Sequence, residues 1–233
     1  MFSKSQHLYD LIYTSFKDYE AEATRVAELI RDRRPEASTL LDVACGTGLH
    51  LEHLSKNFTC QGLDLDEGLL SFARSRGPGV EFHIGDMTDF DLGRTFDAVT
   101  CLFSSIGYVK SEAELDRAVA NMAAHLEPGG VLLIEPWFFP EAFADGHAGF
   151  IAVETDDGHV ARMNSSKVVG DRSILEFHYL VGSPDGVEHF TEVHDAGLFP
   201  RSSYERALAN ADLEFEFDDE GLMGRGLFVA TKA

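Results

Sequence analysis

The stretch Thr39–Gly48, TLLDVACGTG, joins a run of apolar residues to a glycine turn. The run from 39 to 45 is almost uninterrupted, as in a strand buried on both faces, and such strands are typical of parallel sheets. Gly46 and Gly48 permit a tight turn and a close approach of the backbone to a ligand. The stretch therefore predicts a central parallel strand that ends at a ligand site, because ligands of such sheets bind outside the carboxyl ends of the strands.

The residues on either side of this stretch alternate between helix and strand patterns. Helices are predicted at 18–33, 67–76, 111–126 and 201–211, and strands at 59–65, 80–86, 96–103, 131–137, 213–219 and 224–233. Pro128-Gly129-Gly130 is expected to stop the third helix before its strand begins. This alternation favours parallel strands joined by helical crossovers, so we expect a doubly wound α/β sheet.

The pattern changes near residue 148, where polar and apolar residues begin to alternate along four successive runs. The turn pairs Asp157-Gly158, Gly170-Asp171 and Asp185-Gly186 separate these runs, which predicts an antiparallel meander inserted between strands five and six of the main sheet. The chain then divides into a cofactor-binding part at 1–147, the insertion at 148–197, and a final helix with two strands at 198–233.

One face of the meander is expected to cover the ligand crevice, and the other to be a dimer surface. The apolar residues of the meander exceed what one small buried face needs, and exposed apolar patches usually find a partner. The residues that suggest this excess are Phe150, Val153, Ile174, Leu175, Phe177, Tyr179, Leu180 and Phe190.

Composition and charge narrow the class of protein. The formal net charge of −21, from 40 acidic and 19 basic residues, repels phosphate backbones and argues against nucleic acid as a partner. No stretch approaches the ~20 apolar residues that a membrane span needs. The N-terminus lacks the pattern of a secretory signal, and the three cysteines lie in apolar runs, so we expect reduced thiols and a cytoplasmic protein.

The glycine turn does not fit either of two common phosphate sites. A dinucleotide fingerprint needs glycine where this chain has Leu51, and no Gly-Lys-Ser/Thr sequence completes a P-loop. Asp64, at the end of the second strand, is instead placed to accept hydrogen bonds from ribose hydroxyls. Asp86, at the end of the third strand, is placed to accept from an adenine amino group, and Met87 to pack on the ring. Together these residues predict a site that binds adenosine without a phosphate group.

The residues Asp42 to Gly48 resemble the acid-x-small-x-Gly-x-Gly motif of class I S-adenosylmethionine-dependent methyltransferases. Within that class, the strings LLDVACGTGLHLEHL, GDMTDF, FSSIGY, HLEPGGV, EPWFFPEAFADG and GRGLF, between residues 40 and 228, resemble the nucleotide-sugar N,N-dimethyltransferases of macrolide antibiotic biosynthesis. The resemblance implies a seven-stranded, mostly parallel, Rossmann-like sheet and a homodimer. It also implies N,N-dimethylation of a 3-amino-deoxysugar carried on thymidine diphosphate (dTDP).

The resemblance also assigns roles to residues. It implies that Tyr108 lies beside the reacting amine, and that Trp137 and Arg225 contact the nucleotide, Arg225 near its phosphates. In place of a family tyrosine that reaches the amine, this chain has Met1 and Phe2. The cofactor site is expected to comprise Tyr9, Tyr19, Asp42, Ala44, Gly46, Gly48, Asp64, Asp86 and Met87.

Several residues have alternative interpretations. Arg162 and Arg225 are candidates for binding an anionic small molecule, although each also suits an ordinary surface charge. His178 is a candidate substrate contact, although half of the positions on an alternating strand face solvent. Trp137 is a candidate substrate contact that would equally suit the core. His50 and His53 lie one helical turn apart without an evident third ligand, so no metal is expected. Other functions left open are N- or O-methylation of another small metabolite, and a non-catalytic binding module.

Overall fold

Two sheets and six α-helices form the part of the chain that the structure, a computed structural model, describes: residues 5–77, 79–155 and 158–233. The helices are α1 Gln6–Thr14, α2 Tyr19–Arg33, α3 Leu49–Leu54, α4 Glu67–Arg76, α5 Glu112–Ala124 and α6 Arg201–Asn210. The main-sheet strands are β1 Thr39–Val43, β2 Thr59–Asp64, β3 Glu81–Ile84, β4 Phe96–Cys101, β5 Leu126–Ile134, β10 Leu213–Asp218 and β11 Leu227–Lys232. The second sheet comprises β6 Ala148–Thr155, β7 Gly158–Val169, β8 Arg172–Ser183 and β9 Gly186–Gly197.

The main sheet has the order β10-β11-β5-β4-β1-β2-β3. Strands β1 to β5 are parallel, and β11 runs antiparallel to both β5 and β10. Leu40, Leu41 and Val43 of β1 have no exposed surface, because apolar layers cover both faces of the sheet. The predicted doubly wound fold is confirmed. The strand order reverses between β1 and β4, and a crevice therefore opens at the carboxyl ends of these strands.

One predicted boundary differs from the structure. Helix α5 ends at Ala124 and β5 already begins at Leu126, so the Pro128-Gly129-Gly130 segment lies inside a strand instead of before it. Gly129 has a φ of 72°, and the pairing with β4 shifts register between Phe96 and Ala98. The pairing with β4 passes from Leu126 to Val131, and β11 pairs only with Val131 to Ile134, so the strand holds this segment as an irregularity outside both ladders.

The second sheet is antiparallel in the order β6-β7-β8-β9, between β5 and α6 in the chain. The predicted insertion between strands five and six of the main sheet is therefore confirmed. The turns at Gly170-Asp171 and Asp185-Gly186 fall at the junctions of β7 with β8 and of β8 with β9. Asp157 of the first predicted turn lies outside the described residues, as do Met1 and Phe2.

The eight apolar residues named from the sequence divide between the two faces of this sheet. Helix α1 packs Leu8 and Ile12 against one face, where Phe177 and Tyr179 are buried together with Val160. Strand alternation places Val153, Leu175 and Phe190 on this same inner face and Phe150, Ile174 and Leu180 on the outer one. The outer face nevertheless remains apolar, since Phe150, Met163, Leu180 and Val193 are each at least 46% exposed.

Candidate functional site

A cavity of about 690 Å³, here called the main cavity, lies at the carboxyl ends of β1, β2 and β3. Its position is the crevice that the strand order predicts. The sequence-predicted residues that line it are Tyr9, Ala44, Gly46, Asp64, Asp86, Met87 and Tyr108. A volume of this size suits a nucleoside-sized ligand.

The glycine turn after β1 forms one wall of this cavity. Ala44, Gly46 and Gly48 have φ angles of 59°, 57° and 76°, so three residues of the turn adopt the left-handed conformation that favours glycine. The amide of Gly46 donates a hydrogen bond to Asp64 Oδ2 at 2.7 Å. Gly48 does not line the cavity and instead packs against α4, since an added Cβ would lie 3.2 Å from the Cβ of Ala73.

Asp64 is a buried carboxylate held by backbone amides. Its Oδ1 accepts a hydrogen bond from the amide of Asp66 at 2.9 Å, in addition to the bond from Gly46 at Oδ2. Burial raises the pKa of Asp64, while the bonds from Asp66 and Gly46 act in the opposite direction. A carboxylate oxygen can accept two hydrogen bonds, so both oxygens retain capacity for ligand hydroxyls. Asp86 is exposed at the far side of the cavity, and its Oδ1 accepts from the amide and hydroxyl of Thr88.

Asp42 and Tyr19 do not reach the main cavity. They line a small recess of about 20 Å³ that shares Tyr9, Ala44 and Ser105 with it. Asp42 accepts a hydrogen bond from the hydroxyl of Thr100 at 2.7 Å, and burial raises the pKa of Asp42 to about 6. The hydroxyl of Tyr19 is buried and has no hydrogen-bond partner within the described residues. Such a group is costly to bury, so the recess suits the polar end of a ligand.

A buried charge cluster beside this recess was not predicted. Glu22 of α2 pairs with Lys17 and lies 2.8 Å from Nε2 of His50 in α3. Burial lowers the pKa of Lys17. Burial also raises the pKa of Glu22, but hydrogen bonds from His50 and Lys17 outweigh this effect and hold it below its usual value. The cluster fixes the start of α2 against the helix that follows the glycine turn.

Helix α1 covers the main cavity and places Tyr9 in its wall. Gln6 Nε2 donates to Asp66 Oδ1 at 2.9 Å, and the hydroxyl of Thr47 in the glycine turn donates to Asp10 Oδ1 at 2.5 Å. Asp10 also pairs with Arg76 of α4. These contacts attach the helix directly to the segments that form the cavity.

A second cavity, of about 240 Å³, lies between α1, the second sheet and the segment after β5. It shares Tyr9, Ser105 and Tyr108 with the main cavity. Tyr9 and Tyr108 therefore stand where the two cavities meet. A group bound in one cavity can be presented to a group bound in the other.

The second cavity contains two arginines in a strongly acidic chain. Arg162 Nη1 lies 3.2 Å from the Tyr13 hydroxyl, and Arg225 Nη2 lies 3.4 Å from Oε1 of the buried Glu135. In the described part of the chain, the Nε of each arginine is buried without a hydrogen-bond partner. Trp137 lies beside Arg225 and donates from Nε1 to the hydroxyl of Ser173 at 2.9 Å. The unsatisfied N–H groups and the aromatic ring suit an anionic ligand that also carries a flat, apolar part.

A strained turn after β4 places Tyr108. Phe103 and Ser104 have φ angles of 53° and 61°, which are uncommon for residues other than glycine. The amide of Phe103 donates to Glu135 Oε2, and the hydroxyl of Ser104 donates to the carbonyl of Pro136, both at 2.7 Å. These bonds hold the turn, from which the short 3₁₀ helix Ser105–Tyr108 begins.

Close packing holds this 3₁₀ helix against the segment after β5. An added Cβ at Gly107 would lie only 2.8 Å from the Cβ of Trp137. A residue without a side chain at position 107 therefore lets the helix approach Trp137 and fixes Tyr108 at the junction of the cavities.

The structure places His178 outside the site. It lies on the outer face of the second sheet, where it stacks on His189 at 5.5 Å and faces Glu176 at 3.3 Å, and it lines neither cavity. His178 is therefore not brought together with the other predicted site residues, because the covered face of β8 carries the residues of the other parity. His194 of β9 lies on the covered face and lines the second cavity.

Two features are absent from the described residues. No helix among them combines the length and apolar character of a membrane span. No group of three His, Cys, Asp or Glu side chains in the same residues is arranged to hold a metal ion.

Several known proteins are similar to this chain. A model of the methyltransferase domain matches residues 40–130. The dTDP-3-amino-3,4,6-trideoxy-alpha-D-glucopyranose N,N-dimethyltransferase of Streptomyces venezuelae is 51% identical over 97% of both chains. The crystal structure of Streptomyces venezuelae DesVI has a TM-score of 0.94 and 50% identity, covering 97% of this chain and 98% of that one. A third similar protein is SAM-bound CalS10 from Micromonospora echinaspora, an amino pentose methyltransferase involved in calicheamicin biosynthesis. Its structure has a TM-score of 0.89 and 46% identity, and the match covers 94% of this chain and 93% of that one.

Proposed function

The chain belongs to the family of dTDP-aminosugar N,N-dimethyltransferases, and from this membership we propose that it methylates the amino group of a dTDP-linked 3-amino-deoxysugar twice. Its cofactor is S-adenosylmethionine. The observation that carries the proposal is the junction of two cavities at Tyr9 and Tyr108, one framed by Asp64 and Asp86 and the other by two arginines.

The residues of the main cavity fit the cofactor. Asp64 has acceptor capacity for ribose hydroxyls, and Met87 offers an apolar surface for the adenine ring. The unpartnered hydroxyl of Tyr19 lies in the adjoining recess, where it would hold the polar end of the methionine part. This last assignment gives the orphaned hydroxyl a ligand partner.

The second cavity fits the acceptor. Arg162 and Arg225 would bind the two phosphates through the N–H groups that have no protein partner, and Trp137 would pack on the base or sugar. The surface field of a chain with net charge −21 repels anions, so binding depends on this local pair of cations. The sugar amine would then lie at Tyr108.

The chemical task of the chain is mainly positioning. Bound S-adenosylmethionine supplies a methyl group that its sulfonium already makes electrophilic. The protein must align the neutral amine with that carbon and exclude water, and alignment of this kind contributes ~7–11 kcal/mol to rate enhancement. Tyr108 Oη would accept a hydrogen bond from the amine N–H, which orients the amine lone pair and stabilises the developing ammonium.

The test is incubation with S-adenosylmethionine and a dTDP-3-amino-3,6-dideoxyglucose, followed by mass spectrometry. We expect the masses of the mono- and dimethylated sugar nucleotide in succession. The matched control is the 3-hydroxy analogue, which should remain unchanged. Methylation of the hydroxy analogue instead would favour the O-methyltransferase alternative, and cofactor binding without any methyl transfer would favour a binding module.

We also propose that the protein is a cytoplasmic homodimer formed through the outer face of the second sheet. Phe150, Met163 and Leu180 form an apolar strip there, since they occupy neighbouring or diagonal positions on β6, β7 and β8. Patches of this kind usually bury themselves against a partner. Light scattering should give twice the 25.7 kDa chain mass, and Phe150→Asp with Leu180→Asp should give the monomer. A wild-type monomer at micromolar concentration would contradict this.

A further inference from the structure

His194 forms a direct hydrogen bond with Tyr108 across the boundary between the two sheets. Its Nδ1 lies 2.7 Å from the Tyr108 hydroxyl oxygen. Tyr108 belongs to the 3₁₀ helix that follows β4 of the main sheet, whereas His194 belongs to β9 of the second sheet. Both side chains line the second cavity, and only 4% of His194 is exposed. The residue that the proposed acceptor would meet at the junction is therefore held by another residue of the same cavity.

The surroundings of His194 keep its imidazole neutral. Burial lowers the pKa of His194 to about 4, and the positive charge of Arg162 adds to this effect. Arg162 lies over the ring of Phe177, which also contacts the ring of His194 at 4.7 Å. A second cation in this place would be repelled and poorly solvated, so at neutral pH one ring nitrogen carries a proton and the other accepts.

The direction of the hydrogen bond decides what Tyr108 offers to the cavity. If Nδ1 is the accepting nitrogen, the Tyr108 O–H is committed to His194 and only oxygen lone pairs face the substrate. If Nδ1 instead donates, the Tyr108 O–H is free to donate to the amine. A donated proton would occupy the amine lone pair that must attack the methyl group. Only the first arrangement leaves the nucleophile available.

We propose that His194 is a positioning residue that accepts the Tyr108 proton at Nδ1 and so makes Tyr108 an acceptor for the substrate N–H. This inference rests on the proposed function, because it takes an amine as the group that meets Tyr108. His194 acts through Tyr108 and does not itself touch the reacting atoms. Phenol is a good donor and unprotonated imidazole a good acceptor, which favours this direction of the bond.

The first test reads the tautomer and does not depend on activity. Nitrogen-15 NMR of the histidine-labelled protein, with His194 assigned by its loss in His194→Asn, separates a protonated ring nitrogen from an unprotonated one. We expect Nδ1 to be unprotonated and Nε2 protonated at pH 7.5, and the Nδ1 signal to shift in Tyr108→Phe. A protonated Nδ1 would overturn the inference even if the proposed acceptor is correct.

The second test is a double-mutant cycle of His194→Leu with Tyr108→Phe, measured on the acceptor that the wild type methylates. We expect His194→Leu to lower kcat about ten- to hundredfold, the size of effect that a misplaced reacting group produces, and to leave the Kd of S-adenosylhomocysteine unchanged. In the Tyr108→Phe background the same substitution should have no further effect. His194→Asn, which keeps an acceptor at the position of Nδ1, should restore most of the activity.

The outcomes separate this inference from the proposed function. Equal losses of kcat with and without the Tyr108 hydroxyl would show a merely structural role for His194 and overturn the inference. A wild type that binds S-adenosylhomocysteine but methylates only a different class of acceptor would overturn the proposed function. The NMR result would still decide the direction of the Tyr108–His194 hydrogen bond in that case.

Discussion

The two cavities are built from the chain in different ways. The main cavity takes most of its lining residues from the ends of β1, β2 and β3 and the short segments that follow them, and its key carboxylate, Asp64, is fixed by two nearby amides. The second cavity brings together residues from α1, the 3₁₀ helix, the second sheet and the segment before β11. The first is local in sequence and supported by backbone, whereas the second depends on how two sheets meet. Substitutions should therefore separate cofactor binding from acceptor binding.

Asp64→Ala is expected to have the largest effect, and this effect should be on cofactor binding. Removing a carboxylate that accepts from the glycine turn, and that we propose accepts from the cofactor, should weaken S-adenosylhomocysteine binding by about 3 kcal/mol, on the order of a hundredfold. Asp64→Asn, which keeps one acceptor oxygen and the side-chain volume, should lose less. Calorimetry measures both, and an unchanged Kd in Asp64→Ala would remove Asp64 from the cofactor site.

The next largest effect is on the pH dependence of the free energy of unfolding. It comes from His194, which lines the second cavity and not the main one. The pKa of His194 is about 4 in the folded chain and near 6.5 when unfolded, so between these values the unfolded chain binds an extra proton. The stabilisation from neutral His194 is complete above the unfolded value and is lost as pH falls towards 4. When the pH is lowered from 7 to 5, the free energy of unfolding of the wild type should fall by about 2 kcal/mol more than that of His194→Leu.

Urea unfolding of both proteins at the two pH values measures this difference. Other titrating groups are common to both chains and cancel in the comparison. Equal pH dependence in wild type and His194→Leu would show that the histidine titrates normally when folded.

The differences between the cavities also explain what sequence alone could predict. Asp42 to Gly48, Asp64 and Asp86 lie at the carboxyl ends of predicted strands, and parallel topology then places them at one edge of the sheet. The Lys17, Glu22 and His50 cluster joins three segments, and nothing in the local pattern indicates that these charges meet. Long-range pairing of this kind depends on helix packing, which periodicity does not specify.

The second sheet shows the same limit in another form. Alternation correctly indicates that residues two apart share a face, but both faces carry large apolar residues, such as Phe150 outside and Phe177 inside. The face that helix α1 covers decides which set is buried. This is why His178 was a candidate and His194 was not, although the strand pattern contains both.

A smaller effect is expected from neutralising one arginine of the second cavity. Arg162→Gln and Arg225→Gln should each raise the KM for the nucleotide sugar about tenfold, because each removes one charge-assisted hydrogen bond to phosphate. Both variants should bind S-adenosylhomocysteine as the wild type does. Steady-state kinetics at varied sugar nucleotide, with calorimetry of the cofactor, tests this, and an unchanged KM in both would place the phosphates elsewhere.

The smallest effect is expected from His178→Gln, and it is the sharpest test of which face of the second sheet meets the substrate. His178 is exposed on the outer face and contacts His189 and Glu176 alone among the described ring and charge contacts. An exposed substitution of this kind changes free energies by about 0.5 kcal/mol or less, so kcat and KM should stay within about twofold of wild type. A tenfold rise in KM would mean that the outer face contributes to substrate binding. If that rise disappeared in the monomer formed by Phe150→Asp with Leu180→Asp, the contribution would come from the neighbouring subunit. No change in either protein would confine acceptor binding to the covered face that carries His194.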